Sequence, residues 1–144
     1  MDIAVIIPAA GSSRRYTESL VAQGFLDVAS ARSKLDEDLG GRPVLHRTVE
    51  LFTKIPEVST IIVAGPADPA MLQAFRDRHA DKLGLLGVRI CAGGAVHRYE
   101  TVANALELVP DSCTHVAVHD AARPCASLEL IERVVRAGAD PHPQ

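Results

Sequence analysis

Ile3 to Ile7 is an unbroken aliphatic run closed by Pro8, and a run without polar alternation predicts a strand covered on both faces of a parallel sheet. Shorter runs of the same character at Thr60 to Ala64, Val88 to Cys91 and His115 to Val118 predict three further strands. Between them the pattern turns helical. Helices are expected over Val44 to Phe52, over Pro69 to Leu83 with proline near the start, over Tyr99 to Leu108, and over Ser127 to Ala137, with Ser127 as cap and Gly138 as stop. Strands alternating with helices imply parallel pairing through right-handed crossovers, hence an α/β fold with a three-layer, Rossmann-like open sheet that is mostly parallel.

Ligands of such sheets sit beyond the carboxyl ends of the strands. The segments Pro8 to Arg15, Ala92 to Thr101 and His119 to Pro124 each follow a strand, so they are expected to share one rim. Thr17 to Ser33 is less regular, with a helix-compatible stretch around Ser19 to Ala31; it reads equally as a flap or as a solvated surface insertion.

Composition narrows the picture. The 144 residues are 47% hydrophobic and 23% charged, as in one ordinary globular domain, but aromatics are only 3% and the core must be aliphatic. We expect residues 1–138 to form one domain and 139–144 a tail. A net charge of −3 argues against a broad basic surface, so phosphate must be met by a few local cations, and no nucleic-acid partner is expected. Cys91, Cys113 and Cys125 are odd in number and lack metal-binding spacing, which predicts reduced thiols. Asp2 leads straight into the first apolar run without a charged leader or the length of a membrane span; the expectation is a cytoplasmic protein with no membrane partner.

Four blocks carry candidate chemistry. Pro8-Ala9-Ala10-Gly11-Ser12-Ser13-Arg14-Arg15 ends a buried strand in small residues, which let backbone amides approach phosphate, and then supplies guanidinium donors. It is neither a P-loop nor a GxGxxG dinucleotide fingerprint, which argues against an NAD-dependent oxidoreductase. A plain strand-to-loop connection is the competing reading. Ser33-Lys34-Leu35, followed by Gly40-Gly41-Arg42-Pro43 and Thr48, sets a lysine before a glycine turn and a helix, where it is either a phosphate-binding point charge or a solvated side chain. Gly93-Gly94-Ala95-Val96-His97-Arg98-Tyr99-Glu100-Thr101 places a glycine pair after a strand and a hydroxyl near a helix start, so that backbone groups there could read a base edge; His97 reads as an exposed loop residue. Val118-His119-Asp120-Ala121-Ala122-Arg123-Pro124 puts a carboxylate just past a strand, suited to Mg²⁺ shared with substrate phosphates, or else to an Asp120–Arg123 ion pair. His119 reads as a packing and hydrogen-bonding residue.

In order, these blocks resemble the signatures of the methylerythritol phosphate cytidylyltransferases, over most of the chain from Ile3 to about Gly138. The resemblance implies a fold of the nucleotide-diphospho-sugar transferase type. It implies that Ala9, Ala10 and Gly11 contact the nucleotide, that Arg15 and Lys34 bind its phosphates as catalytic residues, and that Gly94 and Thr101 recognise cytosine and position the ligand. Asp120 would hold Mg²⁺, Ala121 would lie against the ribose, and Arg123 would receive the acceptor phosphate. The implied reaction moves CMP from CTP to 2-C-methyl-D-erythritol 4-phosphate and releases pyrophosphate. An acceptor such as ribitol 5-phosphate, or an inactive nucleotide-binding fragment, is the alternative.

Some features depart from the family pattern. Ser12-Ser13 replaces a usual glycine, Thr17 to Ser33 is longer, Thr101 stands for serine, and the third block has one extra residue around Ala95 to Arg98. Family members also continue into further strands, a dimerisation arm and later basic residues, so a homodimer is implied for the complete protein and this chain is either a fragment or a short product.

Overall fold

The structure is a computed structural model that describes residues 1–11, 14–24 and 33–140, with the backbone alone for residues 14–17. Four strands, β1 (Ile3–Pro8), β2 (Val58–Gly65), β3 (Val88–Ala92) and β4 (His115–Val118), form one sheet in the order β3-β2-β1-β4. All three pairings are parallel, in register at Ile6 with Ile62 and Ile6 with Val118. The expected α/β architecture is therefore present. The helices are α1 (Arg14–Ala22), α2 (Val44–Phe52), α3 (Pro69–Leu85), α4 (Arg98–Leu106) and α5 (Leu128–Ala139).

Side-chain alternation divides the apolar runs between two cores. Ile3, Val5 and Ile7 of β1 and Ile61 and Val63 of β2 point to one face, where Leu45, Val49 and Phe52 of α2, Phe75 and Leu83 of α3, and Ile131 of α5 cover them. Ile6, Ile62 and Ala64 point the other way, onto Ala105 and Val102 of α4. Helices on both faces are what let β1 be apolar at every position. β4 departs from that expectation: it pairs with β1 alone among the described residues, and Val116 and Val118 remain 43% and 46% exposed.

Helix boundaries differ from the sequence reading where backbone geometry overrules composition. Ser127 caps α5 as expected, accepting from the Leu130 amide at 3.2 Å, but the helix runs through Gly138 to Ala139. Glycine ends a helix by adopting a positive φ, and Gly138 does not adopt one. The irregular stretch is helical earlier than expected, from Arg14, and has turned by Gln23-Gly24; residues 25–32, on which most of the expected helix falls, and the tail residues 141–144 lie outside the described residues. The three cysteines are free thiols.

Candidate active site: a cleft at the carboxyl ends of β1 and β4

The strand order reverses between β1 and β4, and there the loops after them diverge and leave a crevice. A cleft of about 900 Å³ opens at this point. Pro8 to Gly11, the pair Lys34 and Leu35, Gly94 to Arg98 with Thr101, and Asp120 to Arg123 line it. All three post-strand segments thus meet at one rim, and Ala9, Ala10, Gly11, Lys34, Gly94, Thr101, Asp120, Ala121 and Arg123 share one wall system. Arg15 is the second residue of α1, beside this rim in sequence; its side chain lies outside the described residues.

Steric and hydrogen-bonding constraints build each wall. Ala9 continues the β1 ladder, its amide donating to Ala64 O at 2.7 Å. At Gly11 an added Cβ would meet no atom of the described residues within 4 Å, so among them the space beyond this turn is open. The Gly93-Gly94 turn is the opposite case. A Cβ on Gly93 would stand 2.5 Å from both Ala10 Cβ and Gly65 O, and one on Gly94 2.3 Å from Glu100 Cβ. Only glycine lets this loop press against β1 and β2. Thr101, buried in the first turn of α4, accepts from the Gly94 amide at 2.9 Å, and Asn104 Nδ2 donates to Gly93 O at 3.2 Å. Glu100 accepts from the amides of Val96 and His97 at 3.0 and 2.9 Å, closing a capping box on α4; these bonds hold its carboxyl below the ordinary carboxylate range.

Lys34 sits on a segment without helix or strand of its own, fixed to the start of α2. Pro43 at the N-cap has no capping side chain, and the free amides of Val44 and Leu45 instead donate to Glu37 O and Leu35 O at 2.9 and 3.1 Å. Gly40 and Gly41, at φ 63° and 87°, turn the chain back into the helix. From the same helix, buried Thr48 donates to Ala121 O at 2.7 Å and fixes the turn after β4.

In that turn Asp120 lies between two guanidinium groups, Arg98 at 2.6 Å and Arg123 at 2.8 Å. The Arg98 hydrogen bond and charge, with help from Arg123 and His119, keep its carboxyl below the usual range although partial burial opposes this. The Asp120–Arg123 pairing that the sequence left open is present, with Arg98 as a second partner. His119 meets Arg123 O through Nε2 at 3.0 Å and packs edge-on against Phe52, as expected of a packing residue. Among the described residues, no group of three or more His, Cys, Asp or Glu could hold a metal unaided. One hard carboxylate facing an open cleft does fit an Mg²⁺ whose remaining positions are filled by substrate phosphates and water.

Sequence reasoning missed Arg98 as the partner of Asp120 and Glu100 as the brace of the glycine turn. The spacing of Glu100 three residues after His97 was the available signal for the brace. No motif pointed to Arg98, because its role depends on β4 lying across β1 from α4.

Comparison with known proteins follows the same blocks. The family model for 2-C-methyl-D-erythritol 4-phosphate cytidylyltransferase matches residues 3–143. The cytidylyltransferase of Frankia casuarinae is 38% identical over 98% of this chain and 46% of its own length, and that of Symbiobacterium thermophilum is 38% identical over 99% and 52%. The crystal structure of the Francisella tularensis cytidylyltransferase superposes with a TM-score of 0.62 at 26% identity, over 98% of this chain and 54% of that one. The chain spans about half the length of these relatives. With the family model matching almost the whole of this chain, the chain belongs to the 2-C-methyl-D-erythritol 4-phosphate cytidylyltransferase family.

Proposed function

We propose that residues 1–138 form the nucleotide-binding part of a cytidylyltransferase that moves CMP from CTP to 2-C-methyl-D-erythritol 4-phosphate, with release of pyrophosphate. The observation that carries this is the meeting of all four blocks around one cleft, with Lys34, Arg98 and Arg123 as its cations and Asp120 as its anion. The Ala9-Ala10-Gly11 turn offers the close backbone approach a triphosphate needs. Lys34 and Arg15 neutralise charge gathering on the α-phosphoryl oxygens as the acceptor phosphate attacks in line, and Arg123 receives that acceptor. Gly94 and Thr101 present the loop edge to cytosine, and Ala121 lies against the ribose. Asp120 would hold Mg²⁺, which when bound would supply charge neutralisation for the triphosphate. No nucleophilic side chain is needed, since the attacking atom belongs to the substrate.

The resemblance supports a cytoplasmic homodimer as the complete form; no helix among the described residues is long and apolar enough to cross a membrane. The test is calorimetric titration with CTP and Mg²⁺ beside an assay of pyrophosphate release, with methylerythritol phosphate and ribitol 5-phosphate as acceptors. Binding with turnover of the first acceptor supports the reading; faster turnover of the second reassigns the acceptor. Binding of CTP without turnover of either leaves the chain as the nucleotide-holding part alone, and absence of CTP binding overturns the proposal.

A further inference from the structure

His46 on α2 and His79 on α3 are 3% and 2% exposed, in a core built mainly of aliphatic side chains with Phe52 and Phe75. Their rings are joined, His46 Nε2 to His79 Nδ1 at 2.9 Å, and His79 Nε2 reaches Asp36 Oδ1 at 2.6 Å. The other carboxylate oxygen of Asp36 faces Arg78 Nε at 3.4 Å. His79 also lies against Phe75, with ring centroids 4.8 Å apart. Two buried imidazoles are a costly substitute for leucine, since each polar atom must find a partner before its burial is tolerated. Here every partner is supplied, and the chain of bonds emerges from the core at one place, two residues after Lys34.

That exit point gives the chain its use. The segment carrying Lys34 has three anchors: Leu35 in the core, the α2 amides on Leu35 O and Glu37 O, and Asp36. The first two fix the depth and direction of the backbone, and Asp36 adds a charged side-chain anchor two residues after Lys34, directed at a ring nitrogen that a second ring holds from behind. The segment reaches the cleft immediately before this anchor, at Lys34. His46 is pushed down to about 4, mainly by burial and then by the charges of His79 and Lys82, against Glu50 and Asp36. It therefore stays neutral at ordinary pH and can serve His79 as donor or acceptor.

We propose that Asp36, His79 and His46 are positioning residues for Lys34, orienting its segment toward the anionic ligand of the cleft from the buried side of α2 and α3. This deepens the reading above and rests on Lys34 meeting the CTP phosphates. A merely structural chain would alter stability without singling out Lys34, so the deciding experiment is a double-mutant cycle on CTP·Mg²⁺ affinity, measured by calorimetry in the whole protein with Lys34→Ala, Asp36→Ala and the double variant. We expect each single change to weaken binding about tenfold and the double variant to be little weaker than either, because a lysine already misdirected has little left to lose. Asp36→Asn, which keeps the acceptor oxygen, should recover most of the affinity, and Asp36→Ser, too short to reach His79, replaces Asp36→Ala in the cycle with the same expected loss if the alanine variant fails to melt cooperatively. Independent, multiplying losses in the two single variants would overturn the proposal, as would unchanged affinity in Asp36→Ala. If Lys34→Ala itself binds CTP normally, the phosphate reading fails instead, and the two failures are told apart.

Discussion

The amide of Gly94 donates to Thr101 Oγ1 at 2.9 Å, so the hydroxyl that opens α4 is occupied by the glycine turn it faces. Thr101 thereby fixes the shape of that turn. Thr101→Val keeps the volume and removes the acceptor; with the amide left unpartnered, a cost of about 1–3 kcal/mol is expected in urea melts, together with weaker CTP binding. Thr101→Ser should retain both properties, and parity of serine with valine would refute the role.

Glycine is required at position 93 and merely permitted at 11. Gly93→Ala forces a methyl onto Ala10 and Gly65 and should destabilise the fold by at least about 2 kcal/mol. Gly11→Ala meets nothing among the described residues, so its melting temperature should hold while CTP affinity falls, if the nucleotide lies on that turn. A stability loss at 11 matching that at 93 would contradict this geometry.

Removing the Asp120 carboxylate separates metal binding from ion pairing. Arg98 and Arg123 are exposed, and exposed pairs contribute less than about 1 kcal/mol, so Asp120→Asn should melt close to the parent protein. Mg²⁺-dependent pyrophosphate release should drop by about a hundredfold or more. Full activity in Asp120→Asn would remove it from the metal site.

Two groups of the buried chain, His46 and Asp36, contribute to the response to acid. His46 titrates near 4 in the fold and near 6.5 when unfolded, so from pH 6.5 down to about 4 the unfolded chain alone gains a proton and stability falls. Asp36 is pushed up by burial but carried below its ordinary 3.8 by the His79 hydrogen bond and the charges of Arg78 and His79. Its contribution is present above that ordinary value and is lost as pH drops further. Urea midpoints measured from pH 8 to 4 should therefore decline in the upper window, and His46→Gln, which can still donate to His79, should flatten that decline. An unaltered slope would assign the effect to other groups.

The sequence exposed the sheet because β1 is apolar at five successive positions, a pattern with few alternatives to a doubly covered strand. The four blocks were legible because strand-loop junctions concentrate small and charged residues locally. What escaped were relationships across the fold. His46 and His79 stand 33 residues apart, and nothing in either helix marks its histidine as the partner of the other. Gly138 misled because composition suggests a helix stop, whereas the backbone keeps helical angles until Ala139. β4 looked like the other strands since its aliphatic residues do not reveal how many neighbours it has.

The first amides of α2 hold the Lys34 segment, and Thr48, one turn further along the same short helix, holds the turn after β4. A tilt of that helix cannot move one side of the cleft and leave the other behind. The two halves of the site share a common mechanical reference in α2.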